Sequence, residues 1–114
     1  MTIVSFKDLT VWQKAFILTE DVYKLTNALP KTEQFGLISQ LQRCAVSIPS
    51  NIAEGHQRNS VKEFRQFISI ARGSAAELST QLLLVQNIYK IDTNALVKEL
   101  EDIQKMLYSL QSKL

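Results

Sequence analysis

Little in this chain can break a helix. Its 114 residues include three glycines and two prolines, so turns must be few and the elements between them long. Three scattered glycines also leave no glycine-rich loop to cradle a phosphate. A single cysteine, Cys44, excludes an internal disulfide and a thiolate metal cluster. A single histidine, His56, cannot supply the two Glu-x-x-His motifs of a di-iron bundle. The start, MTIVSFKDL, lacks the charged segment and long apolar run of a signal peptide. No stretch approaches the roughly 20 apolar residues of a membrane span. These absences predict a soluble, cytoplasmic protein with no membrane association. They also predict no cofactor, no metal and no small-molecule substrate.

What is present is helical periodicity. Hydrophobic residues make up 46% and charged residues 21%, enough for a core and unlike a disordered chain. The length fits one domain, residues 1–114. Through SQLQRCAVSIPSNIAEG, Ser39 to Gly55, runs an apolar row that starts at Ile38 just before it and continues with Leu41, Ala45, Ile48 and Ile52 in steps of three and four. Pro49 interrupts the backbone bonding, yet the row keeps its phase across it. The spacing therefore predicts one kinked helix rather than two.

The flanking segments read the same way. Residues 1–7 form an extended lead, and Asp8 caps a first helix facing inward with Leu9, Trp12, Ala15, Phe16, Val22 and Tyr23. Leu18 and Leu25 widen that face. Asn27 and Pro30 end this helix, and Thr32 is placed as the next N-cap. Gly55 closes the second helix, leaving His56 to Asn59 as a connector. Ser60 and Glu63 have the capping-box spacing. A third helix then presents Phe64, Phe67, Ala71, Ala75, Leu78, Leu82, Val85 and Tyr89. Gly73 lies off that row, and its cost in a helix predicts a close approach there. Asp92 or Thr93 caps a fourth helix, whose seam is Leu96, Leu100, Ile103, Leu107, Leu110 and Leu114. The expected fold is all-α, an up-down-up-down four-helix bundle.

The third helix carries more apolar surface than one bundle stripe needs. Leu82 to Val85 are apolar all round, and Ile68, Ile70 and Ile88 spread away from the row. Such a surplus predicts self-association.

Polar residues mark two further candidate regions. From Arg43 to Arg72 five basic side chains (Arg43, Arg58, Lys62, Arg65, Arg72) meet only Glu54 and Glu63. Lys62, Arg65 and Arg72 fall within a quarter turn of one another, with Arg58 just before them. A basic helix face can neutralise phosphates without reading sequence, so Arg58, Lys62, Arg65 and Arg72 are the candidate nucleic-acid contacts. The alternative is a solvated face. The second region is a polar seam of Arg43, Ser47, Asn51, Glu54, Ser74 and Glu77. It predicts a hydrogen-bonded interface between protomers, with Arg43 paired to Glu54 or Glu77. Catalysis finds no support, since one histidine and one cysteine make no nucleophile with an oriented base.

Four segments carry a family resemblance: DLTVWQKA at 8–15, QLQRCAVSIPSNIAEG at 40–55, SVKEF at 60–64 and ARGSAAELSTQL at 71–82. They resemble the bacterial four-helix bundle proteins encoded in intervening sequences of 23S ribosomal RNA genes, across essentially the whole chain. The chain is also similar to accessory proteins of diversity-generating retroelements, which hold RNA and a reverse transcriptase. The resemblance implies a closed homopentamer, with RNA or a nucleic-acid-processing protein as partner. The alternative is a structural or protein-scaffolding oligomer with no nucleic-acid role. Arg72 stands where relatives carry an apolar residue, and HQRNS replaces their usual connector.

Overall fold

The computed structural model describes residues 5–114. Four helices carry the fold: α1 (Thr10–Thr26), α2 (Leu37–His56), α3 (Val61–Tyr89) and α4 (Asn94–Lys113). Two single 3₁₀ turns, Phe6–Asp8 and Lys31–Glu33, precede α1 and α2. There is no strand among the described residues.

The contacts between helices give the topology. Thr19 on α1 reaches Ala45 on α2, while Thr26, farther along, meets the earlier residue Gln42. On α3, Ser74 meets Ser47, and Gln81 meets Gln40 and Cys44. Gln111 near the end of α4 reaches back to Arg65 and Ser69 near the start of α3. Each helix therefore runs antiparallel to the one before it, and α1 closes the ring on α4. This is the up-down-up-down bundle that short connections favour.

One apolar cluster fills the centre. Val11, Ala15, Leu18 and Val22 come from α1, and Leu41, Ala45, Ile48 and Ile52 from α2. Ile68, Ala71, Ala75, Leu78, Leu82 and Val85 on α3 meet Leu100, Ile103 and Leu107 on α4. Burying each leucine or isoleucine stabilises the fold by about 1.5–3 kcal/mol. The α2 and α4 rows follow the sequence reading closely, and α2 is a single helix through Pro49.

Elsewhere the structure corrects that reading. On α1 the inward stripe passes through Val11 and Leu18, and Phe16 and Tyr23 are exposed. The reason is the ring: α1 packs between α2 and α4, so its stripe bisects those neighbours. Phe16 is turned to the flank, where its ring lies 5.2 Å from that of Trp12. Ile68, expected to point away, is fully buried, because the α3 row is centred on 68, 71 and 75. Among the described residues, beyond its own stretch of helix, Gly73 has no atom within 4 Å of where a Cβ would sit, so no close approach there explains it.

The caps differ as well. Residues 1–4 of the expected lead lie outside the described residues, and 5–8 form a turn in which Ser5 and Asp8 cap each other. Asp8 thus closes the turn and leaves Leu9 as the N-cap residue of α1. Thr32 lies within the second turn. The helix after it starts later, where Glu33 Oε1 accepts the Leu37 amide at 3.3 Å. Gly55 does not end α2, which runs on to His56. It is buried against α3, where an added Cβ would stand 2.7 Å from Phe67 Cβ and 3.0 Å from Phe64 Cδ1. Ser60 Oγ accepts the Glu63 amide at 3.1 Å, half of the expected box, since the Glu63 carboxylate turns towards Arg58. At α4 the two candidates divide the roles, Thr93 being the N-cap residue with no side-chain capping bond to the helix. Asp92 accepts the Asn94 amide, while the Thr93 hydroxyl donates to Leu82 O and Gln86 Oε1.

Candidate nucleic-acid interface

The basic residues occupy two flanks of α3. Arg58 follows α2 in the connector, and its guanidinium lies 4.9 Å from the centroid of Phe67, on the side of α3 that meets Gly55. It donates to Glu54 Oε1 at 3.0 Å and stands 4.0 Å from Glu63 Oε2. All three side chains are open to solvent, so the pairs are worth about 1 kcal/mol or less. They nevertheless cancel much of the positive field at this point.

Lys62, Arg65 and Arg72 lie on the other flank, beside α4. Lys62 and Arg65 are exposed, and among the described residues neither has an acidic partner. Arg72 Nη1 donates to Gln111 Oε1 at 2.6 Å, and its guanidinium sits 5.2 Å from the Tyr108 ring centroid. Gln111 is itself fixed, donating to Arg65 O at 3.0 Å and to Ser69 Oγ at 2.6 Å. The helical phase brought Lys62, Arg65 and Arg72 together, as the sequence predicts. It could not show Gln111 and Tyr108 beside them, which lie off the α4 seam and carry no signal of their own.

The polar seam forms between α2 and α3 of one chain. Ser47 and Ser74 hydroxyls hydrogen-bond at 2.8 Å, and Asn51 Nδ2 donates to Ser47 O at 2.7 Å and Ser47 Oγ at 2.9 Å. Glu54 is taken by Arg58. Glu77 accepts from the Cys44 thiol at 3.6 Å, and Arg43 has no ion pair within the described chain. Arg43, Cys44, Ser47, Ser74, Glu77 and Gln81 line a groove of about 520 Å³ together with Gln40. Gln81 is only 7% exposed, and its Oε1 is buried without a hydrogen-bond partner among the described residues.

Nothing here resembles an activated nucleophile. Burial, and secondarily the nearby Glu77 carboxylate, push the Cys44 thiol up from its ordinary value, against the opposing effects of Gln81 and Arg43. A thiol held protonated is a poor nucleophile. His56 is twelve residues further along α2, about 18 Å of helical rise away. No group of three or more His, Cys, Asp or Glu side chains among the described residues is placed to hold a metal ion. No described helix is long and apolar enough to cross a membrane.

These features define a four-helix bundle with a polar groove on one flank of α3 and a cationic strip on the other. The model of one family, the 23S rRNA-intervening sequence protein, matches residues 7–109. The match takes in all but the ends of the chain, and the protein belongs to that family. No curated protein is similar enough to add a closer relative.

Proposed function

We propose that this protein is a non-enzymatic, cytoplasmic assembly of identical bundles, a homopentamer, that binds RNA through the basic flank of α3. Lys62, Arg65 and Arg72 supply the phosphate contacts, and Arg58, on the opposite flank of α3 and paired with Glu54, is a secondary contact. The observation that carries this reading is the exposure of Lys62 and Arg65 without acidic partners among the described residues. Unneutralised cations along one helix face are suited to displacing counterions from a phosphate chain.

A second reading, a protein-scaffolding oligomer with no nucleic-acid role, is favoured by a different observation. Ile70, Leu83, Leu84 and Ile88 on α3 are all exposed in the single chain. A surface of that kind suits a partner whether or not RNA is bound. Binding of labelled structured and single-stranded RNA, measured at low and moderate salt, separates the two. Affinity that falls steeply with salt, and falls further in the Lys62→Ala/Arg65→Ala variant, supports the first reading. No binding at low salt leaves the second.

A further inference from the structure

We infer that Arg72 and Tyr108, on facing edges of α3 and α4, form a stacking platform for an unpaired base of a single-stranded nucleic acid. The inference rests on the nucleic-acid reading above and narrows it to single strands. Three observations lead to it.

The first is the state of Arg72. An exposed arginine ordinarily keeps its rotamer freedom, and holding it in one geometry has an entropic cost. Here the guanidinium is held by Gln111, which is anchored in turn on Arg65 O and Ser69 Oγ. No carboxylate accepts from Arg72 among the described residues, so no ion pair offsets that cost. One nitrogen serves Gln111, and the other two have no hydrogen-bond partner among the described residues. The result is a fixed planar cation with donors to spare, the form in which arginine serves both phosphates and ring faces.

The second is Tyr108. Its side chain is 61% exposed, although Arg72 lies 5.2 Å from its ring centroid. A guanidinium 5.2 Å from an exposed phenol ring leaves two adjoining flat groups that a third can meet. Stacking on tyrosine and arginine planes is the sequence-tolerant way in which proteins hold unpaired bases.

The third is space. Ser69, Arg72, Gly73, Ala76 and Gln104 line a groove of about 360 Å³ between α3 and α4. Gly73 is less favourable than alanine in a helix interior, and no atom among the described residues needs the room it leaves. Arg65 stands two turns before Arg72, about 10.5 Å along the axis, so a strand entering the groove has a second cation upstream. A duplex hides its base faces within its own stack, so only an unpaired base can use the Tyr108 ring.

The test is fluorescence anisotropy of the full chain with three labelled probes: an oligoadenylate RNA, the corresponding DNA strand and an RNA duplex. We expect both single strands to bind more tightly than the duplex, and to similar degrees, because a base face and a phosphate are common to both. Tyr108→Leu is expected to weaken single-strand binding about tenfold, leave the salt slope unchanged and leave the duplex unaffected. Tyr108→Phe keeps the ring and should bind as the parent does. Arg72→Lys keeps the charge, so a several-fold loss there reports the planar group and not the field. By contrast, Lys62→Ala/Arg65→Ala should lower the salt slope by about two. Equal binding of duplex and single strand, with Tyr108→Leu silent on both, overturns the platform while leaving nucleic-acid binding intact. A strict requirement for RNA over DNA would overturn stacking as the main contact. Failure of all three probes at low salt removes the platform and the underlying reading together.

Discussion

The hydroxyl of Thr19 on α1 donates to the carbonyl oxygen of Ala45 on α2 at 3.0 Å. Ala45 is four residues before Pro49, so it is the carbonyl that a proline leaves without its helical donor. The same hydroxyl lies 2.8 Å from Ala15 O in its own helix, an oxygen that already has a backbone partner. Ala45 O thus gains its donor from the neighbouring helix, and α2 continues through Pro49 without an orphaned buried carbonyl.

A double-mutant cycle follows from this. Thr19→Val keeps the shape and removes the donor, and should destabilise the fold by about 1–3 kcal/mol. In the Pro49→Ala background residue 49 regains a backbone amide that can donate to Ala45 O, and the same change should cost clearly less. Chemical denaturation of the four proteins measures the coupling. Equal losses in both backgrounds would mean that Thr19 does something other than serve the proline.

Gly55 is set by packing, and its replacement tests that. Alanine is the better helix former by about 1 kcal/mol, so an uncrowded site would gain stability from Gly55→Ala. The added methyl would instead stand 2.7 Å from Phe67 Cβ and 3.0 Å from Phe64 Cδ1, which forces α2 and α3 apart. A net loss of about 1–3 kcal/mol is expected, the range for overpacking. Gly73→Ala, with no neighbour within 4 Å, should stabilise the isolated chain instead. A fall in melting temperature for the first and a rise for the second is the predicted pair.

Glu99 on α4 gives a pH signature. Partial desolvation, and then the Asp21 carboxylate across from it on α1, raise its carboxyl above the ordinary value, with Lys14 opposing. A carboxyl raised in the folded state binds its proton more readily there than in the unfolded chain. Its contribution therefore opposes folding at neutral pH, and the opposition is relieved as pH falls through the raised value towards the ordinary one. Glu99→Gln should increase stability at neutral pH and flatten the change between neutral and mildly acidic conditions. Thermal melts across that range would show it, and a loss of stability at neutral pH would contradict the assignment.

How much of this was legible in the sequence depends on the kind of information involved. The α2 and α4 rows were readable because a period of three and four residues is a property of one helix alone. The identity of the inward stripe on α1 was not, since Phe16 and Val11 differ by which neighbours the helix meets. Gly55 and Gly73 show the same limit from opposite sides. Composition marks both as unfavourable in a helix, and only the crossing helix decides that 55 is crowded and 73 is open. The Lys62, Arg65 and Arg72 strip follows from phase, whereas the Gln111 and Tyr108 partners depend on how α4 registers against α3. Ser47, Asn51 and Ser74, read as a seam between protomers, hydrogen-bond to one another inside one chain, a pairing that depends on how α3 lies against α2.

With Ser47, Asn51 and Ser74 bonded within one chain, the proposed self-association would draw on other groups. The exposed side chains of Leu83, Leu84 and Ile88 are the apolar candidates, and Arg43 and Glu77, without an ion pair in the described chain, are the charged ones. The two make different contributions. Apolar burial provides the driving force, while a charge pair at an interface chiefly selects the register. Leu84→Glu/Ile88→Glu should therefore lower the assembly's mass to that of the free chain with helicity retained, because both side chains are exposed in the single bundle. Arg43→Ala should lower its melting temperature and weaken assembly at low protein concentration without abolishing it. Sedimentation of the two variants over a concentration series distinguishes these effects. A glutamate variant that keeps its full mass would place the contact elsewhere, and an unaffected Arg43→Ala would leave that charge a solvated one.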